Sequence, residues 1–406
     1  RATLVELGPQ RHELILSAHH IVCDGWSFGI LASELMQLYR ALQNDAADPL
    51  AMLKPTLGFG DYARAQSQPQ ALRQQAADEQ YWVAKYDKSV PTIDLPTDRV
   101  RAALRTFGSR HAVVTYDAAR LERLRRFGSA NGATLFATLL GVFAGMVGRL
   151  GGHEDVAIGI PVAGQLADGH DSLVGHCVNL LPIRVDVAMD KEARLLVQAA
   201  STALLDAFDH SNVTLGSLLR RLQVPRDPSR VPLVPVMFNV ETAISSAELS
   251  MPALQVQVIT NPRHFENAEL FLNVVQDGGA LTLECQYNAS LFDDETVLRW
   301  LDLYCTALDR CTAGPAAIAA DVFAPTAREA AMLQGFNSLT QPVDLGARIE
   351  NMVDAQVHAT PDAVAVSCAD RSLSYREFAR RANGVAAALR GAGARVGGLV
   401  GICCER

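Results

Sequence analysis

Alternating apolar and polar positions open the chain. Residues 3–7 and 13–21 each read as a half-buried strand, and Gly8-Pro9-Gln10-Arg11 between them has turn composition, so the first twenty residues predict a β-hairpin. The period then changes. Phe28, Leu31, Leu35, Leu38 and Leu42 recur at spacings of three and four, one stripe of a helix that ends near Asn44, with Ser27 as its N-cap. Pro49, Pro55 and Gly58 break this pattern before a polar helical stretch over 62–90. An irregular run leads to a strand at 111–116 and helices at 117–127 and 134–150, the second capped by Thr134. Beyond them the pattern predicts strands at 156–162 and 178–187, helices at 192–210 and 215–222, a strand at 236–241, three more at 255–259, 269–276 and 280–287, and a helix at 293–311. Strands interleaved with helices predict an α/β fold.

Composition narrows the function classes. A length of 406 residues with 49% hydrophobic content is enough for two or three cores. With 36 Lys+Arg against 44 Asp+Glu, the net charge of -8 gives no general attraction for nucleic acid or an anionic membrane. The longest uncharged stretch, 127–148, begins with Gly128, Ser129, Asn131 and Gly132, so its continuous apolar part is too short for a bilayer and reads as a buried core helix. The eight cysteines are scattered without a Cys-x-x-Cys, which argues against a zinc site or disulfide scaffold and for a reducing compartment, the cytoplasm by default. Composition shifts at Cys311: residues 312–320 are small and Ala-rich and 337–345 polar, so a linker is expected at 331–345 and a new domain from about 346. Beginning with Arg1 and ending on an uncapped Cys403-Cys404-Glu405-Arg406, the chain is expected to be cut at both ends.

The sharpest local feature is Ser17-Ala18-His19-His20-Ile21-Val22-Cys23-Asp24-Gly25-Trp26-Ser27, between strand and helix. If the strand alternates to its predicted end, His20 shares a face with Leu14, Leu16 and Ala18 while His19 faces the other way, so the two imidazoles are not a chelating pair. An imidazole can take or give a proton near neutral pH. Asp24 stands where the positive end of the helix dipole favours a carboxylate.

His19-His20-x-x-x-Asp24-Gly25 is similar to the His-His-x-x-x-Asp-Gly signature of nonribosomal peptide synthetase condensation domains. Four further stretches resemble that family in its order: Leu95-Pro96-Thr97-Asp98-Arg99; Ile158-Gly159-Ile160-Pro161-Val162-Ala163-Gly164; Val174-Gly175-His176-Cys177-Val178-Asn179-Leu180-Leu181-Pro182-Ile183-Arg184; and Arg226-Asp227-Pro228-Ser229-Arg230-Val231-Pro232-Leu233. Asp362-Ala363-Val364-Ala365-Val366, Leu373-Ser374-Tyr375-Arg376-Glu377-Phe378 and Val400-Gly401-Ile402 resemble the opening of an adenylation domain, with Phe336-Asn337 resembling the linker before it. The resemblance implies a two-lobed fold like that of chloramphenicol acetyltransferase. Residues 1–60 would be the end of the first lobe, 61–330 the second lobe, and 346–406 an incomplete adenylation segment that lacks the phosphate-binding loop. Most of the first lobe is expected to be missing and the isolated fragment to be inactive.

What the resemblance implies for chemistry is amide formation between a donor acyl or peptidyl thioester and the amine of an aminoacyl thioester. Both would arrive on phosphopantetheine arms of upstream and downstream carrier protein domains, beside the adjoining adenylation domain. No cofactor or metal is expected to bind this chain, and no nucleic acid or membrane to be a partner. His20 would be the general base toward the amine, or would orient that amine. His19 would be a structural hydrogen-bonding residue, and Asp24 a structural aspartate paired with Arg184. Gly25 would allow a tight turn and turn its N–H to the oxyanion, or be no more than a helix-start glycine. Asn179 would line the channel or make a strand-end hydrogen bond, and Arg226, Asp227 and Arg230 would form a charged turn. Two departures bear on the donor: Val231 stands where the family pattern has Asn, and His210-Ser211-Asn212-Val213-Thr214-Leu215-Gly216 resembles domains fed by polyketide or acyl donors. Epimerisation, or a catalytically silent recruitment role on the same fold, are the alternatives; an adenylation segment directly after the His domain is the order expected for condensation.

Overall fold

The computed structural model describes residues 1–406 except 168, 223, 225–226, 243–253, 260, 262, 315–316, 339–345, 347 and 404–406. It divides into two units, Arg1–Met332 and Leu333–Arg406.

In the first unit the opening hairpin forms from β1 (Ala2–Gly8) and β2 (Arg11–Leu16), paired antiparallel with Ala2 opposite Leu16. The second strand stops at Leu16, five residues before its predicted end. Ser17 still donates its N–H to Arg1 O at 2.8 Å, but the amide of Val22 then turns back to His19 O at 3.0 Å, so a turn replaces the ladder. The alternation argument therefore does not reach His19 and His20.

Helix α1 (Gly25–Gln43) is capped by Asp24, whose side chain accepts from Ser27 N–H, and not by Ser27 itself. A carboxylate at the N-cap satisfies an amide that the helix leaves unpaired. The predicted helical stretch at 62–90 is two helices, α2 (Phe59–Gln66) and α3 (Pro69–Tyr86). Pro69 divides them, because a residue without an N–H suits the first helical position and not an interior one.

The rest of the unit runs β3 (Ser109–Tyr116), α4 (Ala118–Ala130), α5 (Leu135–Gly151), β4 (Asp155–Ala163), α6 (Gly164–Ala167), β5 (Val178–Asp186), α7 (Ala193–Asp209), α8 (Leu215–Leu222), β6 (Val236–Thr242), β7 (Leu270–Asp277), β8 (Ala280–Asn288), α9 (Asp294–Ala313), α10 (Ala319–Val322) and α11 (Ala327–Phe336), the last crossing into the second unit. Strands β3, β8, β7, β6, β4 and β5 form one mixed sheet in that order. Only the β4–β6 and β6–β7 pairs are parallel. Residues 255–259 alternate as a strand should, yet form none.

Helices α4, α5, α7 and α9 pack with the sheet around a single core. Thr134 caps α5 by accepting from Ala137 N–H at 3.1 Å, as its position predicts, and residues 137–148 of that helix are all buried. Close packing depends on its glycines: a Cβ on Gly141 would lie 2.8 Å from Leu196 O on α7. Phe323, fully buried against Gly145, belongs to the same core. The fold of this unit therefore continues past the composition shift at Cys311. No single helix among the described residues is long and apolar enough to cross a membrane.

Two of the sequence motifs are clasps. Asp98 accepts from Asp293 N–H at 2.8 Å and Thr296 Oγ1 at 2.9 Å, closing the start of α9, while Arg99 donates to Ala289 O and Phe292 O. Asp227 accepts from Ser229 N–H at 2.8 Å and pairs with Arg230, which also holds Asp94 at 2.9 Å. Arg226 lies outside the described residues.

The second unit contains α12 (Ile349–Ala359), an antiparallel pair β9 (Val364–Cys368) and β10 (Arg371–Ser374), and α13 (Tyr375–Gly391). The run Leu373-Ser374-Tyr375-Arg376-Glu377 makes the turn from strand to helix: Ser374 and Glu377 bond each other's backbone N–H in a capping box.

Candidate functional site

The site is a short turn held from below by one buried carboxylate. Ser17 leaves the hairpin, residues 20–22 turn, and α1 begins at Gly25. His19 is part of the turn itself, since its Nδ1 accepts from Ile21 N–H at 3.1 Å. His20 is exposed, and its ring meets that of His176 edge to face, with centroids 4.8 Å apart and planes at 88°.

Asp24 is 1% exposed and spends both oxygens. Oδ1 accepts from Ser27 N–H at 2.9 Å and Ser27 Oγ at 2.7 Å; Oδ2 accepts from Cys177 N–H at 3.1 Å and Gln165 Nε2 at 3.4 Å. Burial alone would raise this carboxyl, but the four hydrogen bonds favour its charged form and hold it below the usual carboxylate range. Ser27 Oγ in turn accepts from Gly175 N–H at 3.0 Å. The turn before α1 and the segment leading into β5 are thus one hydrogen-bonded body. Gly164 N–H donates to Cys177 O at 2.9 Å, tying the end of β4 into it.

That close approach explains two glycines of the sequence motifs. A Cβ on Gly164 would sit 2.7 Å from Cys177 O, and one on Gly175 would sit 2.2 Å from Phe59 Cδ2. The Phe59 ring is partly exposed and can swing aside, whereas the Cys177 carbonyl is backbone and cannot. Gly164→Ala is therefore expected to push Cys177 away from Asp24 and destabilise the unit by about 1–3 kcal/mol, the usual cost of overpacking. A denaturant titration with an unchanged slope and a lowered midpoint would register it.

Arg184 does not pair with Asp24. Its Nη2 reaches Asp155 Oδ2 at 2.6 Å and its Nε the same carboxylate at 3.0 Å, while Nη1 donates to Lys85 O and Ser89 O. The reason is register: Arg184 stands near the far end of β5, two residues from its last, across the ladder from Ala157 near the start of β4, whereas Asp24 meets the segment just before β5 begins. Backbone amides, Ser27 and Gln165 take the place of the expected guanidinium. Asn179 Nδ2 donates to Ser211 O at 3.2 Å, a strand-end hydrogen bond. Gly25 has neither a positive φ nor a neighbour within 4 Å of a would-be Cβ, so the turn itself does not require glycine there. Among the described residues no group of three or more His, Cys, Asp or Glu is placed to hold a metal ion.

Sequence reasoning did not single out Ser27 as a strut, Gln165 as a donor or His176 as a neighbour of His20. No sequence signal marks His176: that it stays exposed between the buried Gly175 and Cys177 is visible only in the fold.

Comparison with known proteins bears on the whole chain. The condensation domain family model matches residues 1–334, and the AMP-binding enzyme model matches residues 353–406. One of the linear gramicidin synthase proteins of Brevibacillus parabrevis is 30% identical across all of this chain, which spans 8% of that protein's length. A four-domain nonribosomal peptide synthetase, solved with AMP and glycine, superposes with a TM-score of 0.75 at 21% identity, covering 97% of this chain and 30% of that one. The X-domain from teicoplanin biosynthesis, solved in complex with OxyB, gives 0.65 at 22% identity over 79% of this chain and 72% of that one. The expected α/β condensation fold is the one observed, and the chain belongs to the condensation domain family of nonribosomal peptide synthetases, followed by the start of an AMP-binding enzyme domain.

Proposed function

We propose that the condensation unit joins a carrier-bound donor acyl or peptidyl thioester to the amine of a carrier-bound aminoacyl thioester. The amine nitrogen attacks the thioester carbonyl carbon, a C–N bond forms, the C–S bond breaks, and the proton lost from nitrogen ends on the departing thiol. A thioester is already activated, so the site chiefly has to hold two tethered groups together and manage one proton. His20 takes that proton or fixes the amine. Gly25 N–H, one of the first amides of α1 that helix geometry leaves without a partner, is the candidate donor to the oxyanion. The substrates ride on phosphopantetheine arms, the carrier domains and the adenylation domain are the partners, and the cytoplasm is the compartment.

The observation that carries this reading is the exposed ring of His20 on a turn whose shape is locked by the buried Asp24. The test supplies the full-length natural protein with a donor-loaded and an acceptor-loaded carrier domain and weighs the acceptor domain by mass spectrometry. Acceptor mass increased by the donor acyl group supports condensation. An unchanged mass with inverted configuration at the loaded residue would replace it with epimerisation, and an unchanged acceptor with unchanged configuration would leave a recruitment module.

A further inference from the structure

We infer that His176 is a positioning residue for amide formation, holding the imidazole of His20 by edge-to-face ring packing. This rests on the reading of His20 given above. Perpendicular rings with centroids 4.8 Å apart fall in the favourable range for such pairs. More telling is how His176 comes to be there. The amides on either side of it are both spent on the residues that begin α1: Gly175 N–H on Ser27 Oγ at 3.0 Å and Cys177 N–H on Asp24 Oδ2 at 3.1 Å. Residues 175 and 177 are buried by those bonds, and His176 between them is left exposed, its ring against that of His20.

His20 has need of such a partner. It lies on a turn with neither helix nor strand to limit its side chain, and its neighbour His19 is already engaged by Ile21 N–H. A proton acceptor that swings freely spends little time in line with a bound amine, and small misplacements of a catalytic group are costly in rate. A second ring fixed to the same hydrogen-bonded body removes that freedom.

The experiment measures steady-state condensation kinetics in the full-length natural protein, with loaded carrier domains, for His176→Ala, His176→Phe and His20→Ala. His176→Ala is expected to lower kcat about tenfold, with the KM for the acceptor carrier and the thermal midpoint unchanged, and His176→Phe to recover most of the rate because it restores a ring without a ring nitrogen. Added to His20→Ala, the His176→Ala change should have no further effect, since no ring is left to position. Parental kcat in His176→Ala would overturn the inference, as would a His176→Phe protein as slow as His176→Ala. If His20→Ala itself keeps the parental rate, the assignment of His20 fails; if His20→Ala is inactive and His176→Ala is not slowed, only the role of His176 falls.

Discussion

Replacing His20 by Ala is expected to lower the condensation rate by roughly two to four orders of magnitude, the range that a positioned acid or base supplies, while leaving the protein folded. The second half of that expectation follows from burial. The ring is exposed and no part of the core packs on it, so truncation opens no cavity, and surface changes of this kind stay within about 0.5 kcal/mol. His19→Ala should behave differently. It removes the acceptor for Ile21 N–H from an exposed turn, where water can replace it, so the expected loss is about 0.5–1.5 kcal/mol of local stability and a modest fall in rate. Measuring product on the acceptor carrier and the unfolding midpoint on the same preparations separates the two. Equal rate losses in both variants would mean that the turn's shape, and not the His20 imidazole, carries the chemistry.

The elements that bury an apolar face were legible in the sequence, because burial writes the period directly. Residues 156–160 form an unbroken buried run in β4, as expected of a strand covered on both faces, and the Thr134 cap announced α5. What failed were places where one hydrogen bond decides between two periods. The predicted strand through Ile21 ends at Leu16 because the amide of Val22 finds the carbonyl of His19, and neither residue's hydrophobicity reports that choice. Ser27 reads as a cap because Ser, Thr, Asp and Asn all serve, but the carboxylate three residues earlier wins the position.

The site shows the same limit at longer range. The turn bearing His19, His20 and Asp24 was readable as a unit because its parts are neighbours in the chain. The partner of Asp24 was not. Chemical complementarity pointed to an arginine, and Arg184 was available, but β-strand register carries it to Asp155. The donors that actually reach Asp24, among them the amide of Cys177, are backbone groups that every sequence possesses and that no residue type can mark. His176 escaped notice for the same reason: only the three-dimensional closure of residues 175–177 onto Asp24 and Ser27 brings it to His20.

Among the residues of the turn, Asp24 is the one whose loss should cost the fold most. With Asp24→Ala, the buried amides of Ser27 and Cys177 both lose their carboxylate acceptor, which costs roughly 2–5 kcal/mol for the two. Asp24→Asn is the milder test. If the retained oxygen stays on Ser27, the new NH2 group faces the Cys177 amide, donor against donor. Gln165 offers partial relief, since its Oε1 is buried without a partner among the described residues and a rotation of that amide would present it as an acceptor. The Cys177 amide still loses its carboxylate acceptor, for about 1–3 kcal/mol. Acid should mimic the Asn variant. Because hydrogen bonding holds the folded-state carboxyl below its ordinary value of about 3.9, the unfolded chain binds the proton first. The contribution of Asp24 to stability is therefore complete above the ordinary carboxylate range and fades as pH falls through the lower folded value. The difference in unfolding free energy between parent and Asp24→Asn should be constant from neutral pH down to about 5 and shrink below about 4. A gap that stays constant across that acid range would show that the charge on Asp24 is not what holds the loop to the helix.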